Sequence, residues 1–149
     1  SVKAASLNFP DLLVMSGKYQ VLPERPFIPG KDAAGIVETV GSNVRSLKTG
    51  DHVVALVENG CFASRLCVPQ ASAHKIPSEI AFADAAAMGL VYQTAFFALT
   101  DRGGLRKGET VLISGAAGGV GLAAIQIALA RGAHDKQARP AQPALGLSA

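Results

Sequence analysis

Residues 111–121, Val-Leu-Ile-Ser-Gly-Ala-Ala-Gly-Gly-Val-Gly, decide the fold of this chain. An apolar strand runs into a glycine-rich turn that opens an alanine-rich helix, an order that is typical of a dinucleotide-binding unit. Glycines let the backbone turn tightly and approach a pyrophosphate without a Cβ in the way. The helix N-terminus supplies N–H donors and the positive end of its dipole. This stretch therefore predicts a site for the phosphates of a dinucleotide.

The turn has the spacing that such a site needs. Three of its residues fall at the glycine positions of the pattern G-x-G-x-x-G, with alanine replacing the first glycine: Ala116, Gly118 and Gly121. Alone this match is weak, and a tight turn without a ligand is the alternative; the strand before it and the helix after it favour cofactor binding. The predicted cofactor-binding residues of the turn are Ala116, Ala117, Gly118, Gly119, Val120 and Gly121. No Gly-Lys-Ser/Thr follows the glycines, which excludes an ATP-binding P-loop.

Composition limits the other classes of function. The 149 residues are 49% apolar, enough for about one domain with a core, and the formal net charge is +3. Basic residues are scattered among acidic ones, which gives little support for nucleic-acid binding. Neither a signal peptide nor an uninterrupted apolar run of membrane-spanning length is readable. We expect a cytoplasmic protein that binds neither nucleic acid nor membrane.

The two cysteines, Cys61 and Cys67, are expected to be free thiols. They lie in a segment, 62–68 and its flank, that reads as a strand. In an extended strand, thiols six positions apart are about 20 Å from each other at about 3.3 Å per residue. They could not form a disulfide there, which agrees with a reducing compartment.

The order of predicted elements divides the chain in two. Up to about residue 79, short apolar runs separated by proline and glycine predict strands of a small barrel or sandwich, at residues 35–40, 51–57 and 62–68. From residue 82 the sequence becomes alanine-rich, and it predicts helices over 84–88 and 92–100, a strand over 109–114 and a helix over 120–131. We place the domain boundary near Glu79.

Residues 134–149 differ from the rest. Two prolines and several polar residues leave no apolar run long enough for a strand, although a doubly wound fold requires a second parallel strand there. We expect this tail to be disordered or foreign to the fold, as after a frameshift or truncation.

Several ordered motifs resemble one enzyme family. Over roughly residues 1–133 the chain closely resembles the quinone oxidoreductase branch, zeta-crystallin-like, of the medium-chain dehydrogenase/reductase superfamily. The motifs are Asn8-Phe-Pro-Asp, Gly17-Lys-Tyr, Pro26-Phe-Ile-Pro-Gly, Ala34-Gly-Ile-Val-Glu, Val40-Gly, Lys48-Thr-Gly-Asp, Leu105-Arg-Lys-Gly-Glu-Thr-Val-Leu-Ile and the glycine turn. The resemblance implies a mixed α/β fold: a GroES-like β-rich catalytic domain, residues 1–79, followed by the first βα unit of a Rossmann NADP-binding domain, residues 80–133.

The resemblance also implies a chemistry and site residues. It implies hydride transfer from NADPH to quinones or other α,β-unsaturated carbonyls. By position, Asn8 and Thr94 resemble residues near the nicotinamide and its neighbouring phosphate, and Tyr19 resembles an active-site tyrosine lining the nicotinamide cleft. Taken without the resemblance, such an asparagine often caps a turn and such a tyrosine often only packs.

A catalytic zinc is not expected. Where the zinc-dependent alcohol dehydrogenases of the superfamily carry Gly-His-Glu, this chain reads Gly30-Lys31-Asp32. A lysine ammonium has no lone pair for a metal, and two cysteines cannot form a four-cysteine zinc lobe. Asp11 and Asp51 are expected to be structural or turn residues. The isolated His52 and His74 are expected to be packed or at the surface.

The chain also departs from the family pattern. Family members begin before the position of Ser1 and continue long past Ala133, so the chain reads as truncated at both ends. A lone βα unit would leave strand edges unpaired, so we expect a homo-oligomer with little activity. A non-catalytic binding or structural protein on the reductase scaffold is the alternative. The residue that would select NAD or NADP falls in the tail, and neither Lys136 nor Arg139 is assigned that role.

Overall fold

The computed structural model describes residues 1–138 and divides the chain into two compact units. The first unit is Ser1–Leu90, and the second begins at Val91. Along the chain the elements are β1 (Val2–Ala5), α1 (Phe9–Met15), β2 (Asp32–Ile36), β3 (His52–Leu56), a 3₁₀ turn (Gln70–Ser72), β4 (Ala73–Lys75), α2 (Phe82–Phe96), a π-helical segment (Phe97–Arg102), β5 (Thr110–Ser114), α3 (Gly119–Ala130) and β6 (His134–Ala138). The predicted mixed α/β fold class is confirmed.

The first unit is built on a four-stranded antiparallel sheet in the order β1-β2-β3-β4. The register pairs Ala33 with Ala55, and Gly35 with Val53. Gly35 has to be glycine, because a Cβ there would lie 2.0 Å from the carbonyl oxygen of Ser1. A small core forms where Ala34 of β2 packs with Ala85 and Ala86 of α2.

The boundary between the two compact units lies inside helix α2, and the domain boundary near Glu79 stays a prediction. The structure divides the chain between Leu90 and Val91, inside α2. The change to alanine-rich sequence does mark where the helix begins. Its first half nevertheless packs on the first unit, because the small side chains of Ala85 and Ala86 fit against the sheet.

One predicted strand is confirmed, one overlaps a strand only in part, and the third is wrong. Residues 51–57 correspond to β3, residues 35–40 share only positions 35 and 36 with β2, and residues 62–68 are irregular, with bends at 62–65. The backbone N–H groups of Cys61 and Phe62 donate to the carbonyls of Gly30 and Pro29, at 3.1 and 3.0 Å. The start of this segment is therefore bonded to a loop, and its apolar residues are not part of the sheet.

The helices predicted over 84–88 and 92–100 are one element that ends in a π-helical segment. Gly89 lies inside α2, where a Cβ would come 2.7 Å from both Asp32 Oδ2 and Leu56 Cδ2. The glycine lets α2 approach the sheet of the first unit closely, and it does not interrupt the helix.

The second unit pairs β5 with β6 in parallel, from Thr110 opposite His134 to Ser114 opposite Ala138. The expectation that residues 134–138 form no strand is wrong. Strand formation here depends on backbone pairing with β5 and requires no apolar run of its own. Residues 139–149, the rest of the predicted tail, lie outside the described residues. Around β5, Ile113 packs with Ala95, Ala116, Ala123 and Ala124.

One helical stretch is long and apolar enough to span a membrane by length and composition alone. It is Phe82–Arg102, 21 residues with a mean hydropathy of 1.3. Core helices of soluble proteins meet the same criteria, but only 17% of the apolar window is buried here, Ala85, Ala86 and Ala95 among its buried residues. The absence of membrane binding stays a prediction.

Candidate functional site

The glycine loop, residues 115–121, joins β5 to α3 by a tight turn. Gly115 has a φ of +71°, a conformation that L side chains rarely adopt. The N–H of Gly118 donates to the carbonyl of Gly115 at 3.0 Å. Gly118 is extended, with φ −83° and ψ 164°, and it is the N-cap of α3. The predicted strand–turn–helix is therefore present.

Gly121 shows why the loop requires glycine at its last position. A Cβ there would lie 2.4 Å from the carbonyl oxygen of Gly115 and 2.7 Å from Ala116 Cα. Helix α3 can thus approach the turn only because Gly121 has no side chain. Ala116 is buried in the core beside it, whereas at Gly118 the nearest atom to a Cβ would be Gly115 O at 3.4 Å, an ordinary contact.

The first turn of α3 is suited to bind an anion. Gly118 carries no side chain that could cap the helix, and no side-chain cap bond is formed there. Ala117, Gly118, Gly119 and Val120 are exposed, so a ligand can reach the backbone N–H groups. The positive end of the helix dipole adds to the attraction for phosphate. These features fit the pyrophosphate of a dinucleotide.

Thr94 lies in the same unit as the glycine loop. It is exposed on α2 and lines an open groove with Gln93, Phe97, Ala98 and Arg102. The Arg102 guanidinium carbon lies 4.9 Å from the centroid of the Phe97 ring. The groove thus presents an amide, a hydroxyl and a guanidinium close together.

Asn8, in the first unit, is buried in a polar network. Its Nδ2 donates to Asp32 Oδ1 at 2.8 Å and to Ser6 Oγ at 2.9 Å, and its backbone N–H donates to Asp11 Oδ2 at 2.8 Å. Both amide protons are therefore used inside the protein. A contact between this side chain and a cofactor would have to use the carbonyl oxygen Oδ1.

Asp32 is the centre of that network and was missed at the level of sequence. Its carboxylate accepts bonds from the Ser6 hydroxyl, the Asn8 amide and, at 2.8 Å, the backbone N–H of Leu90. The residue is 1% exposed, so these bonds replace bonds to water. A charged residue at the head of an apolar strand was the signal that could have identified it.

Cys61 lies fully buried near the same carboxylates. Burial, followed by the negative charges of Asp32 and Asp11, raises the pKa of the Cys61 thiol to about 12. Cys67 is exposed, and both cysteines are free. The expectation of two free thiols is confirmed. The strand over residues 62–68, on which that expectation was based, does not form.

Tyr19 lies half-buried in the irregular segment after α1 and faces a lysine. Lys31 Nζ is 4.7 Å from the centroid of the Tyr19 ring, a cation–π distance. The same ammonium donates to Glu58 Oε2 at 2.7 Å and to the Glu58 carbonyl at 3.2 Å. The lysine in the Gly-Lys-Asp motif is thus fully occupied by protein groups.

The chemistry of this region agrees with the prediction of no metal, which stays a prediction. Within residues 1–138 no group of three His, Cys, Asp or Glu side chains could hold a metal ion. Lys31 donates to Glu58, and a thiol with a pKa of about 12 binds metal poorly, because thiolate is the ligand form.

The remaining titratable candidates have structural positions. Asp11 is buried in the first turn of α1. The hydrogen bond from Lys75, at 2.7 Å, and then that from the Lys48 backbone N–H lower the pKa of Asp51. His52 packs on Phe82 with ring centroids 4.7 Å apart, and His74 is exposed in β4. All four residues belong to the first unit.

Residues 1–98 match the alcohol dehydrogenase GroES-like domain family. The chain belongs to this family. Among curated proteins, the quinone oxidoreductase-like protein 2 homolog of Nematostella vectensis is 43% identical over 129 residues, 86% of this chain and 35% of that protein. The synaptic vesicle membrane protein VAT-1 homolog of Rattus norvegicus is 43% identical over 126 residues, 85% of this chain and 31% of that protein.

The solved structures agree with these relatives. The quinone oxidoreductase of Escherichia coli complexed with NADPH superposes with a TM-score of 0.83 at 38% identity, over 91% of this chain and 42% of that one. The predicted relationship to quinone oxidoreductases of the medium-chain superfamily is therefore confirmed, and the family is one of oxidoreductases. The chain spans about a third of the length of the curated relatives named here.

Proposed function

We propose that this GroES-like family member is a zinc-independent oxidoreductase that transfers hydride from NADPH to quinones or other α,β-unsaturated carbonyls. The glycine loop carries the proposal, because Gly121 permits the close approach of α3 to the turn and an uncapped helix N-terminus follows Gly118. The relative from Escherichia coli, solved with NADPH, supports the choice of cofactor. We propose a cytoplasmic location as well.

Each residue has a proposed role. Backbone N–H groups at residues 119–121 would bind the pyrophosphate, since the N–H of Gly118 already donates to the carbonyl of Gly115. Thr94 is proposed to bind the cofactor near its nicotinamide and the neighbouring phosphate, and the same role is proposed for Asn8 through its Oδ1. Tyr19 would line the cleft that receives the substrate. NADPH supplies the hydride when it is bound, and the protein binds and orients the two reactants.

The alternative, a non-catalytic scaffold, has lost one of its two arguments. It rested on the truncated cofactor domain and on the missing second strand, and β6 supplies that strand. Self-association was argued partly from the unpaired edges of β5, one of which β6 now occupies. We retain a homo-oligomer as a proposal.

The substitution Gly118→Asp tests phosphate binding separately from folding. Asp is a favoured N-cap, the extended backbone of Gly118 suits it, and a Cβ there meets only Gly115 O at 3.4 Å. The variant should fold at least as well as the wild type, while its carboxylate repels phosphate. Gly118→Ser is the matched control, because it caps the helix without a charge.

The readouts are the thermal shift caused by NADPH and the NADPH-dependent reduction of 1,4-naphthoquinone. In the wild type, NADPH at 100 times its Kd should add about 2.7 kcal/mol of stability. G118D should lose most of this shift and G118S much less. If the shift in G118D equals that of the wild type, the phosphates do not bind at the glycine loop. A wild type that binds NADPH without reducing the quinone would favour the scaffold alternative.

A further inference from the structure

Lys31 is a buried cation whose ammonium is held on three sides. Its side chain is only 6% exposed, whereas that of its partner Glu58 is 75% exposed. The ammonium contacts the Glu58 carboxylate, the Glu58 carbonyl and the ring of Tyr19. Burial of an ammonium is costly unless hydrogen-bonded and paired groups compensate it, and this site provides both.

The backbone fixes where this cation lies. Gly30 has a φ of +99°, and a Cβ there would come 2.6 Å from Cδ1 of the Phe62 ring. On the other side, the carbonyl of Lys31 accepts the N–H of Val57 at 2.8 Å. The backbone of Lys31 is thus held in place just before β2, and Glu58 lies just after the end of β3. The ion pair joins two ends of neighbouring strands.

Tyr19 has no such support from its own segment. The residues between α1 and β2 form no helix or strand. Within residues 1–138, no hydrogen bond or ring stacking holds the Tyr19 side chain besides the cation on its face. The orientation of the ring therefore depends on Lys31, and the position of Lys31 depends on Glu58.

We propose that Lys31 and Glu58 are positioning residues that hold the Tyr19 ring ready for a planar quinone. The inference rests on the proposed function, in which Tyr19 lines the substrate cleft. A ring held in one orientation before binding loses less conformational freedom when a substrate stacks on it. The preorganised ring should therefore lower KM. Lys31, which cannot bind a metal as a histidine at this position would, would thus position the ring of Tyr19.

Fluorine NMR can observe Tyr19 alone. The chain has two tyrosines, so the Tyr92→Phe background labelled with 3-fluorotyrosine leaves one signal. In that background Lys31→Met removes the charge but keeps the length, Lys31→Arg keeps the charge, and Glu58→Gln removes the carboxylate. Lys75→Met is the matched control, since Lys75 forms an ion pair of the same 2.7 Å length with Asp51 and does not contact Tyr19.

We expect the Tyr19 signal to move toward its unfolded-chain position and to sharpen in K31M. It should be close to that of the background protein in K31R and unaffected in K75M. E58Q should give an intermediate result. The KM for 1,4-naphthoquinone should rise about 3- to 10-fold in K31M while kcat changes by less than about twofold, which is the scale of a cation–π contact. Circular dichroism confirms that each variant is folded.

A Tyr19 signal that is the same in K31M and in the Y92F background would overturn the proposal. So would a displaced signal with an unchanged KM, since the orientation would then not serve the substrate. If the wild type reduces no quinone, the proposed function fails independently. Whether Lys31 and Glu58 hold the Tyr19 ring is then tested by the position of the Tyr19 fluorine signal alone. It is tested further by whether 1,4-naphthoquinone shifts this signal less in K31M than in the Y92F background.

Discussion

The two units are stabilised by different chemistry. Every buried polar or charged residue of the described chain lies in the first unit: Asn8, Asp11, Lys31, Asp32 and Asp51. The buried residues described in the core of the second unit are alanines with one leucine and one isoleucine, and its glycine loop leaves no room for a Cβ at Gly121, which would lie 2.4 Å from the Gly115 carbonyl oxygen. The first unit should therefore be sensitive to the loss of a charge, whereas the second has no described buried charge to lose. Both should be sensitive to a methyl group at a glycine where backbone comes close, Gly35 in the first unit and Gly121 in the second.

The buried charges of the first unit give the largest expected effect, on thiol reactivity. With a pKa of about 12, the buried Cys61 has far less thiolate at pH 8 than an ordinary thiol, whereas Cys67 is exposed to a reagent. Against an ordinary thiol pKa of about 8.5, the reaction of Cys61 with a disulfide reagent should be about a thousandfold slower.

With the disulfide reagent 5,5′-dithiobis(2-nitrobenzoate), the native protein should quickly release one equivalent of the coloured product thionitrobenzoate. The denatured protein should release two equivalents. Cys67→Ser should abolish the fast reaction. Two fast thiols in the native protein would contradict the buried cluster around Asp32.

The second unit is tested by Gly121→Ala. The added Cβ would lie 2.4 Å from a backbone carbonyl oxygen that cannot easily move. We expect a loss of about 3 kcal/mol in the free energy of unfolding, at the upper end for overpacking. Urea denaturation measures the loss, and amide NMR shifts should concentrate at residues beyond 91.

Gly118→Ala is the control for Gly121→Ala, since its nearest contact is at 3.4 Å. It should lie within about 0.5 kcal/mol of the wild type. Equal stabilities of G121A and G118A would refute the close-approach reading of Gly121.

Asp32→Ala is the corresponding test of the first unit. It leaves the donors of Ser6, Asn8 and Leu90 without their acceptor, and we expect a loss of about 2 kcal/mol. The amide shifts should now concentrate at residues 1–90. Glu79→Ala, which removes an exposed carboxylate, should change stability by less than about 0.5 kcal/mol. If D32A lost no more free energy of unfolding than E79A, the hydrogen bonds around Asp32 would contribute nothing to stability.

The smallest expected effect concerns acid stability at Asp51. The Lys75 ammonium, and then the Lys48 N–H, lower its pKa in the folded protein. A depressed carboxyl pKa contributes stability that is present above the unfolded pKa, about 3.9, and is lost as the pH falls through the folded pKa. Lys75→Met should therefore narrow the difference in Tm between pH 7 and pH 3. An unchanged difference would contradict this contribution.

How much could be read from the sequence varies along the chain. The glycine loop was predicted closely, with α3 beginning at Gly119 rather than Val120, because turn chemistry and helix periodicity are local. β6 was missed, because its polar residues form a strand only by pairing with β5, more than 20 positions earlier. The segment 62–68 was misassigned for the opposite reason: it is locally strand-like, but its start is bonded to residues 29 and 30.

The strand–turn–helix of the glycine loop, the mixed α/β class and the family could be predicted from the sequence alone, and the sequence also shows lysine in place of histidine at position 31. Each of these depends on residue types at short, fixed spacings. Only the tertiary structure showed that Asp32 bonds to Asn8 and to Leu90, 24 and 58 positions away, and that Lys31 lies between Glu58 and Tyr19. Contacts between distant residues depend on how strands and helices pack together, and no local pattern in the sequence encodes that packing.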